Sequence, residues 1–77
     1  MSNEERLCEL LSEQLGLGGR INLGDRLVAD LNCDSMDLVE IAMAVEDEFA
    51  IDVPDDEGEA CVTVADCLAL INKKLAA

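Results

Sequence analysis

The chain has 77 residues, with eighteen Asp and Glu against five Lys and Arg, and a formal net charge of −13. Such a surface repels nucleic acid and anionic membranes and attracts basic protein surfaces. A chain near this length buries only about 60% of its unfolded surface, enough for one small domain.

Ser2-Asn3-Glu4-Glu5 has the form of a capping box, with Ser2 as N-cap and Glu5 three residues on. Leu7, Leu10, Leu11 and Leu15 follow at helical spacing and predict a first helix of about three turns. Gly16, Gly18 and Gly19 are placed to end it, because glycine adopts the left-handed conformation that follows many helices. Residues 16–34 then form a long connection for so small a domain. It carries Ile21, Leu23, Leu27, Val28 and Leu31, which predict a loop anchored onto the helices, with one short turn.

A second helix is predicted from Asp34 or Ser35 to about Ala50. Asp34 is a favourable N-cap, and Asp37 falls in the first turn, where the helix dipole favours negative charge. Pro54 followed by Asp55-Asp56-Glu57 predicts a short third helix limited by Gly58. Thr63 and Asp66 make another capping box, and Val64, Leu68, Ile71 and Leu75 give the last helix its apolar stripe. Few β-branched or alternating runs support strands. The expected fold is all-α: a small bundle of three main helices and one short one, with a long loop between the first two, as a single domain over residues 1–77.

Phe49 is the only aromatic residue, so the core is expected to be built from Leu, Ile, Val, Met and Ala. Cys8, Cys33, Cys61 and Cys67 form no Cys-x-x-Cys pair, and there is no His, so no specific metal site is expected. The cysteines read as small buried hydrophobes. With no leader resembling a signal peptide and no apolar run of membrane-spanning length, the expected setting is cytoplasmic and reducing.

The charge is unevenly placed. From Leu27 to Asn72 there is no basic residue, yet thirteen of the eighteen acids lie there. Outside that stretch five acids balance five bases, among them Arg6, Arg20, Arg26, Lys73 and Lys74. Self-repulsion in the acidic part opposes the compact state, and salt or divalent cations relieve it.

The second helix carries two apolar stripes. At about 100° per residue, Leu38, Ile41, Ala42, Val45 and Phe49 share one face, the expected core face. Met36, Val39 and Met43 cluster nearly opposite, among Glu40, Glu46 and Asp47. Apolar anchors inside a charged rim suit a transient protein interface, and methionine adapts to different partners. The alternative is that the long loop covers this stripe and makes it core.

Ser35 stands at the start of this helix, between Asp34 and Asp37. Its local context is that of a helix cap. No His is present and no Lys lies close in sequence, so nothing would activate it as a nucleophile from within the chain. No catalytic residue is therefore expected, and if Ser35 reacts, another enzyme must activate it.

The run Leu27-Val28-Ala29-Asp30-Leu31-Asn32-Cys33-Asp34-Ser35-Met36-Asp37 resembles the attachment motif of the acyl carrier protein family. The likeness continues through Val39 to Phe49, then Val53-Pro54-Asp55, then Thr63-Val64-Ala65-Asp66, and so spans nearly the whole chain in order. The resemblance implies a carrier and not an enzyme. In that family a phosphopantetheinyl transferase, using Mg²⁺, moves the 4′-phosphopantetheine of coenzyme A onto the serine that Ser35 matches, flanked here by Asp34 and Met36. The arm's thiol then holds acyl groups as thioesters, and they shelter between the helices.

It further implies docking of the acidic second helix on basic patches of acyltransferases and of fatty acid or polyketide synthase enzymes. Met36, Asp37, Val39, Glu40, Met43, Glu46 and Asp47, with Asp34, would form that face. The protein would act as a monomer, without nucleic acid or membrane insertion. Three positions depart from the family pattern: Met36 where leucine is commoner, Cys33 where a small aliphatic residue is usual, and Gly58, which weakens the short helix. Cys33 is also close enough in sequence to Ser35 for a mixed disulfide with the arm, which a reducing compartment opposes.

Fatty acid synthesis is the expected pathway; polyketide, nonribosomal peptide or D-alanine transfer would use the same serine with other cargo. A calcium loop fails, because placing Gly58 at the sixth position puts Val53 first, where an oxygen ligand is needed. An acidic mimic of nucleic acid remains a distant alternative.

Overall fold

The computed structural model describes residues 2–16 and 21–76. Gly18, Gly19 and Arg20 lie outside the described residues. Each long helix starts where a side chain takes over a backbone N–H that the first turn leaves without a partner. Ser2 caps α1 (Asn3–Leu15) in a reciprocal box with Glu5, and Asp34 caps α2 (Ser35–Phe49) in the same way with Asp37. At α4 (Val64–Ala76), Asp66 N–H donates to the Thr63 hydroxyl at 3.1 Å, and the Asp66 carboxylate accepts from Val62 and Thr63 N–H at 3.0 and 3.1 Å. Those bonds hold the Asp66 carboxyl below its usual range.

Between α2 and α4 lies the short α3 (Asp55–Glu59), with Pro54 as its N-cap residue. The expectation that Gly58 limits this helix is corrected. Gly58 N–H donates to Pro54 O at 3.0 Å and belongs to the helix, which ends one residue later. A Glu57–Lys74 ion pair at 2.8 Å ties α3 to α4.

α1 packs against both α2 and α4. Leu7 and Leu11 of α1 and Val64 and Ile71 of α4 are sealed from solvent. Ile41, Val45 and Phe49 close the core from α2, where Leu38 and Ala42 are half-buried at its margin. Full burial of such a side chain contributes about 1.5–3 kcal/mol. Cys33 and Cys67 join the core, while Cys8 and Cys61 are only half-buried.

The long connection is anchored as its sequence predicts, with one exception. Ile21 and Leu27 are buried and Leu23 and Leu31 pack against the core, but Val28 is 58% exposed. The reason lies in the turn at 26–31. The Asp30 carboxylate accepts from Arg26 N–H at 2.8 Å, while Asp30 and Leu31 N–H both donate to Arg26 O. This winds Leu27 and Leu31 onto one side and turns Val28 outward. The Arg26 contacts hold the Asp30 carboxyl below its usual range.

The loop then pairs with the chain ahead of α4. Leu27 N–H donates to Val62 O at 2.9 Å and Val64 N–H to Asp25 O at 3.0 Å, on either side of a single antiparallel bridge between Arg26 and Thr63.

Leu75 is the second correction, since it is 45% exposed while Cys67 is buried in the stripe. Asn3, the first residue of α1, donates to Asn72 Oδ1 at 3.0 Å. The last turn of α4 therefore runs past the start of its neighbour, with no α1 surface to cover Leu75.

Arg6 fastens α1 to the end of α2. Its guanidinium donates to Glu48 O at 2.8 Å, pairs with the Glu48 carboxylate at 3.1 Å, and lies 4.4 Å from the Phe49 ring centroid. Since α2 has no basic residue in its own last turn, Arg6 supplies the positive charge that its dipole favours there.

The chain leaves α2 through Ala50, at φ 54° in the left-handed region. That conformation costs an L-residue about 1–2 kcal/mol, while glycine's extra backbone entropy offsets roughly half. Ala50→Gly is accordingly expected to stabilise the fold by about 0.5–1 kcal/mol in urea denaturation, with an unchanged m-value.

Candidate functional site

Ser35 is the first residue of α2, and the capping work that its type would suit is done by its neighbour. Asp37 N–H donates to Asp34 Oδ1 at 2.8 Å, and Asp34 N–H donates to Asp37 Oδ2 at 3.2 Å. The serine side chain is left exposed, and among the described residues its hydroxyl has no hydrogen-bond partner. One oxygen of each neighbouring carboxylate accepts from a backbone amide.

The hydroxyl stands on the rim of a cavity of about 380 Å³. Leu38, Ala42 and Val45 of α2 form one wall, Gly58 of α3 and Val53 another, and Cys67, Leu70 and Ile71 of α4 the third. Its size lies within the range of about 300–1,000 Å³ typical of small-molecule sites, and its walls are largely apolar. Ala42 and Gly58 keep the space open by being small. The sequence marked Leu38 and Ala42 only as core positions. Their distance from the sealed centre, which leaves them half-buried, was not legible before the helices were placed.

On the outer side of α2, Met36, Val39 and Met43 are 66%, 57% and 59% exposed. The loop does not cover them. Glu40 and Asp47 are exposed beside them. Two of the expected face residues have inward duties as well. Asp37 is half-buried in the capping box, and Glu46 is half-buried with its Oε2 accepting from Val53 N–H at 3.0 Å. Val39 belongs to both surfaces, because it also lines the cavity. A separate open groove between α1 and α2 is lined by Arg6, Glu9, Glu13, Met43 and Asp47 and does not reach Ser35.

Cys33, two residues before the serine, is buried in the core. Burial pushes its thiol up from the ordinary range, and the Asp37 and Asp34 carboxylates push it further. Its sulfur is therefore not presented beside Ser35 as sequence proximity suggested. Among the described residues no group of three or more His, Cys, Asp or Glu side chains could hold a metal ion, and no helix is long and apolar enough to cross a membrane.

A family model described as a phosphopantetheine attachment site matches residues 5–71. A crystal structure of an acyl carrier protein from Thermotoga maritima matches with a TM-score of 0.79 at 30% identity, covering 94% of this chain and 85% of that one. The residues matched by the family model include Ser35 and the whole of α2. The chain belongs to the acyl carrier protein family, whose members carry a phosphopantetheine group and are not themselves enzymes.

Proposed function

We propose that Ser35 is the attachment point of the 4′-phosphopantetheine arm and that the chain carries acyl groups on it, in fatty acid biosynthesis. The observation that supports this most is the free, exposed hydroxyl on the rim of an apolar cavity. The arm, when attached, supplies the thiol that holds an acyl group as a thioester.

The chain's own residues do the positioning. The Asp34–Asp37 box fixes the first turn of α2 without consuming the serine oxygen. A phosphate ester at Ser35 would lie at the positive end of that helix, where early N–H groups lack intrahelical acceptors. Among the described residues no side chain is hydrogen-bonded to the Ser35 hydroxyl, so the base is assigned to the phosphopantetheinyl transferase. The cavity gives an apolar chain a place out of water, reached from the same rim.

The outer face of α2 supports a reading as the docking surface for that transferase, for acyltransferases and for synthase enzymes with basic patches. Met36, Val39 and Met43 would be the apolar anchors, with Glu40, Asp47 and the free faces of Asp34, Asp37 and Glu46 as the acidic rim. Exposed pairs of this kind steer encounter and are weakened by salt. Fatty acid synthesis is favoured over polyketide or other carriers by the density of acids on this helix. A reducing cytoplasm goes with this reading, since it keeps all four cysteines as thiols.

Two experiments test the proposal. Intact mass after incubation with coenzyme A and a phosphopantetheinyl transferase is expected to show one added arm on the natural protein and none on Ser35→Ala. An unmodified natural protein, under conditions that load other carriers, would refute the assignment. Met43→Ala is expected to weaken binding to an acyltransferase about fivefold or more while moving Tm by less than about 2 °C. A large fall in Tm with normal affinity would mean that this stripe serves the fold instead.

A further inference from the structure

Nothing in the backbone requires a glycine at Gly58. It lies inside α3, its φ is not in the left-handed region, and its N–H makes an ordinary helical bond to Pro54 O at 3.0 Å. Space does not demand it either. Beyond its own helix backbone, a Cβ at Gly58 would meet Val53 Cγ1 alone, at 3.8 Å, an ordinary van der Waals contact. Glycine loses more backbone freedom on folding than any other residue, so alanine would steady this helix of five residues.

What the missing side chain leaves is room. Gly58 is half-buried and, with Val53, lines the cavity beside Ser35. The α3 wall is also fastened on three sides. Ahead of it, Val53 N–H donates to Glu46 Oε2 of α2 at 3.0 Å. Glu57 pairs with Lys74 of α4 at 2.8 Å, and behind the helix Leu27 N–H donates to Val62 O at 2.9 Å. A side chain added at Gly58 therefore enters the cavity instead of pushing the wall aside.

We propose that Gly58 is a specificity-determining residue for the acyl cargo: its bare Cα sets the width of tail that the cavity admits and leaves room for a methyl branch. The inference rests on the reading of Ser35 as the site of the arm and of the cavity as the shelter for its tail. A branch and a Cβ are each one methyl group, so the two compete for the same space beside Val53. A straight tail of equal carbon number is narrower by that methyl. In an apolar pocket one such group shifts discrimination by about tenfold or more.

The test loads the full chain from octanoyl- and 6-methylheptanoyl-coenzyme A, whose tails have equal carbon number and different width. Intact mass, Tm and the rate of thioester cleavage by hydroxylamine are then measured. In the natural protein both tails are expected to raise Tm above that of the chain with the bare arm by similar amounts, on the order of 5 °C. Gly58→Ala is expected to raise Tm of the unmodified chain by about 2–6 °C and to keep the octanoyl increment. It should lose at least half of the branched increment, with the branched thioester cleaved about threefold faster or more. Gly58→Leu is expected to lose both increments. Asp56→Ala, exposed on α3 and outside the cavity lining, is expected to leave both as they are. Straight and branched increments that stay equal in Gly58→Ala, or no increment from either tail in the loaded natural protein, would overturn the proposal alone. A chain that takes up no arm by intact mass would refute the carrier reading and bring the proposal down with it.

Discussion

The reciprocal hydrogen bonds between Asp34 and Asp37 are the constraint on which the rest of the site depends. A helix that begins at a serine would ordinarily spend the serine oxygen on its own first turn. Here the aspartate one residue earlier takes that duty, and the aspartate two residues later returns the favour. The serine oxygen is released to solvent by this arrangement. At the same time the first turn of α2 is held firmly enough to present that oxygen on a fixed rim.

The acidic composition then divides into carboxylates that build and carboxylates that face outward. Glu5, Asp30, Asp37 and Asp66 accept from backbone N–H groups at turns and helix starts, and Glu46 anchors the segment after α2. Glu48 and Glu57 pair with Arg6 and Lys74 across helices. Such half-exposed pairs contribute modestly, about 0–1 kcal/mol each. Glu40 and Asp47 remain on the outer face of α2 with the two methionines and Val39. The charge excess is thus partly structural, and only its remainder is available to a partner.

Much of this was legible in the sequence because it is local. The capping boxes at Ser2 and Thr63 and the N-cap at Asp34 are local signals, and the leucines of α1 repeat at helical spacing, so the long helices could be read directly; that Asp37 closes the box with Asp34 emerged only with the structure. What escaped was decided by contacts between distant segments. Val28 is turned outward by the Asp30–Arg26 turn, and Leu75 is bare because α1 begins beside Asn72. Glu46 looked like a surface acid until the chain folded back to bring Val53 to it. The cavity beside Ser35 likewise depends on how α3 sits against α4, to which Glu57 and Lys74 tie it. The family resemblance pointed to Ser35, but residue spacing alone favoured a cap.

The most direct test of the central claim is a comparison of melting temperatures for Asp34→Ala and Ser35→Ala. If the aspartate is the cap and the serine oxygen is free, Asp34→Ala should lower Tm by about 4–8 °C, the effect of roughly 1 kcal/mol in a domain of this size. Ser35→Ala should leave Tm within about 2 °C of the natural protein. The reverse order, with the serine variant the unstable one, would show that its oxygen is bound into the helix start and would contradict the account.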